Sequence, residues 1–139
     1  MSISITNIVL TELKFYRDPV LPDDMDYSYH LELGTTYEEG DASAQVFLKI
    51  TIQEKSKNLE LTCCMLGDFR IENHASSPLP IDTFLHVNAP AMIYPYMREI
   101  ISTTTQRAGL KKPLYIPVFN FKALYDRKQS SDKTTGSPE

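Results

Sequence analysis

Three consecutive segments of the chain, at 27–34, 44–53 and 59–66, alternate apolar and polar side chains with a period of two. This period is typical of β-strands that bury one face, because successive side chains of a strand point to opposite sides. The segments are joined by short polar stretches at 38–41 and 55–58, which favour turns. The pattern therefore predicts three strands that follow one another through short connections in an antiparallel sheet.

The amino-terminal segment predicts a fourth strand with an irregularity. Its apolar positions change phase near Asn7, as a bent or bulged strand would require. Two prolines and three aspartates at 18–24 predict a loop that separates this strand from the next. Four strands with these connections favour an antiparallel meander or a Greek key. The apolar positions of the first strand are Ile3, Ile5, Ile8, Leu10 and Phe15.

The period becomes helical from about Pro90 to Ala108. Ile93, Met97 and Ile101 recur at intervals of four, which places them on one face of a helix. Pro95 lies inside this pattern and is expected to kink or restart the helix, because proline lacks the N–H donor. Gly109 suits the position after the last helical turn.

A second, short helix is predicted after Asn120, a suitable N-cap residue. The last residues, 129–139, are mainly polar and predict a disordered tail. The predicted organisation is one α+β domain over 1–128: a four-stranded antiparallel, Greek-key-like sheet with one long and one short carboxyl-terminal helix.

Composition excludes several classes of protein. The formal net charge is −4, whereas general nucleic-acid binders usually carry a basic excess. No apolar run approaches the roughly 18 residues of a membrane span, and no basic region precedes the apolar residues at the start, so we expect a cytoplasmic protein without stable membrane insertion. The adjacent Cys63 and Cys64 point to opposite faces of a strand and are expected to be reduced thiols.

Candidates for catalysis and metal binding are weak. A triad drawn from the sequence-adjacent Ser76, Ser77, Asp82 and His86 is improbable, because loop residues of these types are common. Glu38, Glu39 and Asp41 lack the spacing of a calcium loop and suit a solvated hairpin tip. We therefore expect no enzymatic activity, no cofactor and no metal.

The segment 89–99 concentrates two prolines, two tyrosines and two methionines. A helix packed on the sheet explains such an apolar stripe. A subunit interface or an apolar peptide-binding surface explains it as well, because methionine side chains adapt to varied partners.

Two ordered motifs in this region resemble the SecB family of bacterial export chaperones. The first reads Pro90, Ile93, Tyr94, Pro95, Tyr96, Arg98 and Glu99. The second runs from Pro117 to Tyr125 as Pro-Val-Phe-Asn-Phe-Lys-Ala-Leu-Tyr, with one residue inserted relative to the family pattern. The strands match in order, so the resemblance covers roughly residues 3–125.

The resemblance implies an ATP-independent holdase that binds unfolded preproteins or other non-native polypeptides in apolar surface grooves. It also implies a homotetramer, a dimer of dimers with the long helices at its centre. The implied groove residues, each of which could instead belong to the core, are Leu31, Leu33, Leu61, Cys63, Met65, Phe121, Leu124 and Tyr125. The implied interface residues are Ile93, Tyr94, Tyr96, Met97, Ile100 and Ile101.

The chain departs from the family at positions that dock the SecA motor. One acidic position is kept as Glu12, but the others correspond to Tyr16 and Cys64, and a family leucine corresponds to Thr62. SecA therefore remains a candidate partner through Glu12 alone. The alternative function is a SecB-fold scaffold, or a chaperone dedicated to an antitoxin, that recognises one specific partner and does not dock SecA.

Overall fold

The computed structural model describes residues 2–72, 80–112, 114 and 116–135. Four antiparallel strands form one sheet: β1 (Ser2–Arg17), β2 (Tyr27–Thr36), β3 (Ser43–Glu54) and β4 (Leu59–Glu72). Their spatial order is β1-β4-β3-β2. The three later strands follow one another through short connections, and the first lies beside the last, which is Greek-key order. The predicted α+β fold is confirmed.

β1 carries the predicted irregularity. Its register against β4 shifts between Ile5 and Asn7 and again between Leu10 and Glu12. Each shift returns an apolar side chain to the face where the helix packs, because one extra residue reverses the alternation of a strand. The phase change seen near Asn7 is therefore a β-bulge, and the sequence pattern missed only the second one.

The long helix begins earlier than predicted. Helical backbone is continuous through α1 (Ile81–Thr83), a π-helical turn (Phe84–Asn88) and α2 (Ala89–Gln106). The prediction of a start near Pro90 was wrong, because the wider turn tolerates this proline: the N–H of Ala89 donates to the carbonyl of Phe84, five residues back. α2 continues through Pro95, so the helix does not restart there.

The terminal helix, α3, is longer than predicted. It spans Phe121–Thr135 and so continues into the segment 129–139 that the sequence predicted to be disordered. Residues 136–139, and most of the loop predicted at 73–80, lie outside the described residues. The division into a domain over 1–128 and a tail stays a prediction.

The core lies between the sheet and α2. Val46, Leu48 and Ile50 of the central strand β3 are fully buried beneath Ile93, Met97 and Ile101 of the helix. Gly67 of β4 allows the two layers to approach closely, because a Cβ atom there would lie 2.9 Å from Ile93 Cδ1. The sheet thus has one face covered by the helix and one open face. The core side chains of the strands are Ala44, Val46, Leu48, Ile50, Ile52, Leu61, Cys63, Met65, Phe69 and Ile71.

A buried carboxylate fixes the β3–β4 turn. Glu54 Oε1 accepts hydrogen bonds from the backbone N–H groups of Ser56 (3.0 Å) and Asn58 (3.2 Å) and from Asn58 Nδ2 (2.8 Å). The bond from the Ser56 N–H is the main reason that the pKa of Glu54 lies below its usual value, against the opposing effect of burial. Because the pKa is lowered on folding, this carboxylate stabilises the fold above the usual glutamate pKa and ceases to do so as the pH falls.

Candidate binding groove

One edge of the sheet, formed by β2, carries an uninterrupted apolar row. Its described backbone pairs only with β3, so the outer N–H and C=O groups have no strand partner among the described residues. Tyr27, Tyr29, Leu31 and Leu33 alternate along it on the face that adjoins the core, and each is half-buried. The row from Tyr27 to Leu33 is roughly 20 Å long at the rise of a strand.

The second half of this row opens into a pocket of about 230 Å³, which we call the leucine pocket. It lies between β2, α3 and the π-helical turn. It brings together five of the eight predicted groove residues, which are distant in sequence. Its lining residues are Leu31, Leu33, His86, Phe121, Leu124, Tyr125 and Lys128.

Capping and aromatic contacts hold α3 over the leucine pocket. Asn120 Oδ1 accepts a hydrogen bond from the backbone N–H of Ala123 (3.0 Å), as the sequence predicted for an N-cap. The hydroxyl of Tyr125 donates to Asp82 of α1, and its ring lies 5.4 Å from the ring of His86. These contacts join the terminal helix to the beginning of the long helix.

The first half of the row opens into a larger pocket of about 430 Å³, which we call the loop pocket. One wall of this pocket is the β1–β2 loop. Arg17 fixes this loop by donating hydrogen bonds to the carbonyls of Asp18 (2.9 Å) and Pro19 (3.0 Å). Arg17 also donates to the carbonyl of Ala108, after α2. The lining residues of the loop pocket are Arg17, Leu21, Pro22, Asp23, Asp24, Met25, Tyr27, Tyr29, Gly109, Leu110, Lys111 and Lys112.

The two tyrosines of the loop pocket remain protonated. Burial raises the pKa of Tyr27, and Glu54 raises it further. Burial also raises the pKa of Tyr29, with a smaller effect of Tyr27. Both phenols therefore keep their hydroxyl protons at neutral pH, and each presents an apolar ring with a polar tip.

The remaining predicted groove residues do not reach either pocket. Leu61, Cys63 and Met65 lie on β4, an inner strand, and the structure buries them in the subunit core under the helix. Burial, and secondarily the neighbouring Cys64, raises the pKa of the Cys63 thiol to about 11. These three side chains belong to the core and line neither pocket, because β3 lies between their strand and β2.

The predicted interface residues divide into two groups. Four of them lie on the face of α2 that packs against the sheet. These side chains are buried within the subunit, so they are not available to contact a second subunit. Tyr96 remains 52% exposed, and Ile100 is partly buried. Leu10 and Leu13 of the edge strand β1 are also exposed, although both lie on the face of the sheet that the helix covers. The buried members are Ile93, Tyr94, Met97 and Ile101.

Glu12 lies on the open face of the sheet. Its carboxylate pairs with Lys14 Nζ (3.9 Å) and Lys49 Nζ (3.7 Å). By register, Cys64 lies between Glu12 and Lys49 on neighbouring strands. Two lysines thus partly neutralise the carboxylate that the sequence predicted as a docking position.

Sequence reasoning missed the loop pocket and two polar residues of the leucine pocket, His86 and Lys128. Tyr27 and Tyr29 were part of the alternation that predicted β2, so a longer groove along this strand could have been inferred from them. The contribution of the turn after α2 could not have been inferred. No local sequence pattern indicates that Lys111 and Lys112 lie near the β1–β2 loop. Among the described residues, no helix is long and apolar enough to cross a membrane.

The Greek-key sheet with the long helix across it is the fold of a SecB-like chaperone. The structure is similar to the Mycobacterium tuberculosis SecB-like chaperone Rv1957, solved in complex with a ChAD peptide from the Rv1956 HigA1 antitoxin. The TM-score is 0.67 at 16% identity, and the similarity covers 84% of this chain and 90% of that one. This likeness concerns the fold.

The family itself is established by sequence. Residues 22–132 match the family model described as SecB, preprotein translocase subunit SecB. The chain is 36% identical over 107 residues to the protein-export protein SecB of Rickettsia akari, covering 76% of this chain and 68% of that protein. It is 35% identical over the same length to the protein of that name from Rickettsia felis, with the same coverage. The chain belongs to the SecB family of protein-export chaperones, which are not enzymes.

Proposed function

We propose that this chain is an ATP-independent holdase that binds unfolded or non-native polypeptides in the groove along β2 and keeps them unfolded for export or delivery. The observation that carries the proposal is the alignment of the leucine pocket and the loop pocket along one edge strand. An extended client could pair its backbone with the outer edge of β2 while its side chains enter the pockets. Backbone pairing and apolar pockets need little sequence specificity, as a holdase requires.

The same proposal assigns the partners and the compartment. Clients are unfolded preproteins or other non-native proteins in the cytoplasm. The M. tuberculosis relative was solved with an antitoxin peptide, so a single dedicated client is the alternative outcome. Docking of SecA through Glu12 remains a prediction. The two lysines that pair with this carboxylate reduce the negative charge it could offer to SecA.

A homotetramer is also part of the proposal, and Tyr96 tests it. Aspartate at this exposed position should leave the subunit folded but place a charge in the helix interface, so tetramers should dissociate to dimers. Multi-angle light scattering measures the mass. Val20→Asp, at an 83% exposed apolar loop residue, is the matched control and should keep the tetramer mass. An unchanged mass for Tyr96→Asp would remove this residue from the interface.

The leucine pocket is tested by Leu124→Glu. This side chain lines the pocket and is exposed enough for the variant to fold. A carboxylate among apolar groups is costly to bury, so client affinity should fall by about tenfold. The measurement is light scattering of an aggregating model protein, together with titration of an unfolded client.

Val118→Glu is the matched control, because Val118 is apolar, 74% exposed and outside both pockets. It should protect the client as the unmodified chain does. Equal protection by Leu124→Glu would show that clients bind elsewhere. Failure of the unmodified chain to suppress aggregation at a stoichiometric ratio would contradict the holdase proposal itself.

A further inference from the structure

The loop pocket is formed by two segments that are distant in sequence. Residues 21–25 of the β1–β2 loop supply one wall, and residues 109–112 after α2 supply the other. The ends of the loop, at Asp18 and Asp26, each form a backbone hydrogen bond with the β3–β4 turn, at 2.7 and 2.8 Å. Among the described residues, no backbone hydrogen bond joins the middle of the loop to the sheet. The separation of the two walls therefore depends on side-chain contacts.

Arg17, the last residue of β1, links the two walls. Its Nε and Nη2 atoms donate hydrogen bonds to the carbonyls of Asp18 (2.9 Å) and Pro19 (3.0 Å), at the start of the loop. Its Nη1 atom donates to the carbonyl of Ala108, directly before the wall that follows α2. Because a guanidinium presents its donors in a rigid planar fork, these three bonds fix the relative positions of the two segments.

The bond to Ala108 also stabilises the chain where α2 ends. Carbonyl groups at this end of a helix lack intrahelical donors, and the end carries a partial negative charge. Arg17 supplies both a donor and a positive charge there. A second link between the walls, the ion pair of Lys111 with Asp23 (2.7 Å), is exposed to solvent and contributes little. Arg17 is therefore the stronger of the two links.

We propose that Arg17 is a positioning residue that holds the loop pocket in its binding shape before a client arrives. Without this side chain, the loop would have to be ordered when the client binds, and that ordering costs affinity. The leucine pocket lies at the other end of the β2 row and is held by the contacts of α3, so it should not change. This inference rests on the proposed holdase function and gives one half of the groove its own determinant.

Methionine methyl groups report on the loop pocket and on the core separately. Met25 lines the loop pocket, whereas Met65 and Met97 are buried in the core. The experiment is methyl NMR of the full chain, labelled at methionine and titrated with α-lactalbumin that is kept unfolded by reduction and carboxymethylation. In the unmodified chain, this client should shift the Met25 signal.

Arg17→Gln and Arg17→Lys should both diminish the client-induced shift of Met25 and weaken client affinity about fivefold. Lysine keeps the charge, but its single ammonium group cannot reproduce the fork that joins three carbonyls. The signals of Met65 and Met97 should stay as in the unmodified chain. Arg70→Gln is the matched control, because Arg70 is exposed and lies outside both pockets, and it should keep both the shift and the affinity.

Several results would overturn the inference and leave the holdase proposal intact. Full affinity of Arg17→Lys would show that only a positive charge is needed, and full affinity of both variants would show that Arg17 is not needed at all. Changes at Met65 and Met97 as large as those at Met25 would mean that Arg17 supports the whole subunit. Client binding to the unmodified chain without a Met25 shift would place the client outside the loop pocket. If the unmodified chain neither binds this client nor suppresses aggregation, the proposed function fails instead.

Discussion

Ile93→Ala is expected to lower the free energy of unfolding by about 2–5 kcal/mol. Ile93 is fully buried where α2 crosses the sheet, so its removal loses apolar burial and leaves a cavity. The neighbouring Met92, which is 40% exposed, provides the control on the same helix. Urea unfolding should show a loss below about 1 kcal/mol for Met92→Ala. Equal losses for the two variants would show that the helix does not pack on the sheet through this face.

A double-mutant cycle locates the contact more closely. The missing Cβ of Gly67 would lie 2.9 Å from Ile93 Cδ1, so Gly67→Ala should be destabilising by about 1–3 kcal/mol through overpacking. Ile93→Val removes this terminal methyl group. The double variant should therefore lose less stability than the sum of the single variants. Additive losses would mean that Gly67 is needed for another reason.

Much of the fold could be predicted because strand alternation is local. The alternation within each strand indicates which of its side chains face the core. The polar turns at 38–41 and 55–58 separate the strands. The turns form as expected: Asp41 closes the first by accepting from the Glu38 backbone N–H, and Glu54 closes the second. The start of the long helix was missed because the segment before Pro90 is helical through a π turn, which has no clear sequence signal.

The candidate site was harder to predict, and β4 shows why. Leu61, Cys63 and Met65 alternate as Leu31 and Leu33 do, and both sets face the same side of the sheet. Only the strand order distinguishes them, because β4 is an inner strand beneath the helix and β2 is an edge. Alternation says which face a side chain takes, whereas exposure on that face depends on what the rest of the chain covers.

Tyr94→Ala is expected to destabilise the subunit by about 3–5 kcal/mol and to disrupt the leucine pocket with it. Tyr94 is 6% exposed and donates its hydroxyl proton to the carbonyl of Pro117. Its ring meets Phe119 and Phe121 edge-on at centroid distances of 5.5 and 5.8 Å. One side chain of α2 thus fixes both the connection before α3 and the first residue of that helix.

Phe121 lines the leucine pocket, whereas Tyr94 does not. Loss of the Tyr94 ring should therefore lower client affinity indirectly, through the displacement of Phe121. Urea unfolding measures the stability, and peptide titration under folding conditions measures the groove. Tyr94→Phe keeps the ring and loses only the hydrogen bond, so it should cost about 1 kcal/mol and leave client affinity unchanged. Met92→Ala, at an exposed position of the same helix outside both pockets, is the control for a substitution on this helix. If Tyr94→Ala left client affinity intact, the Asn120 cap and the contacts of Tyr125 with Asp82 and His86 would be sufficient to hold α3 over the leucine pocket.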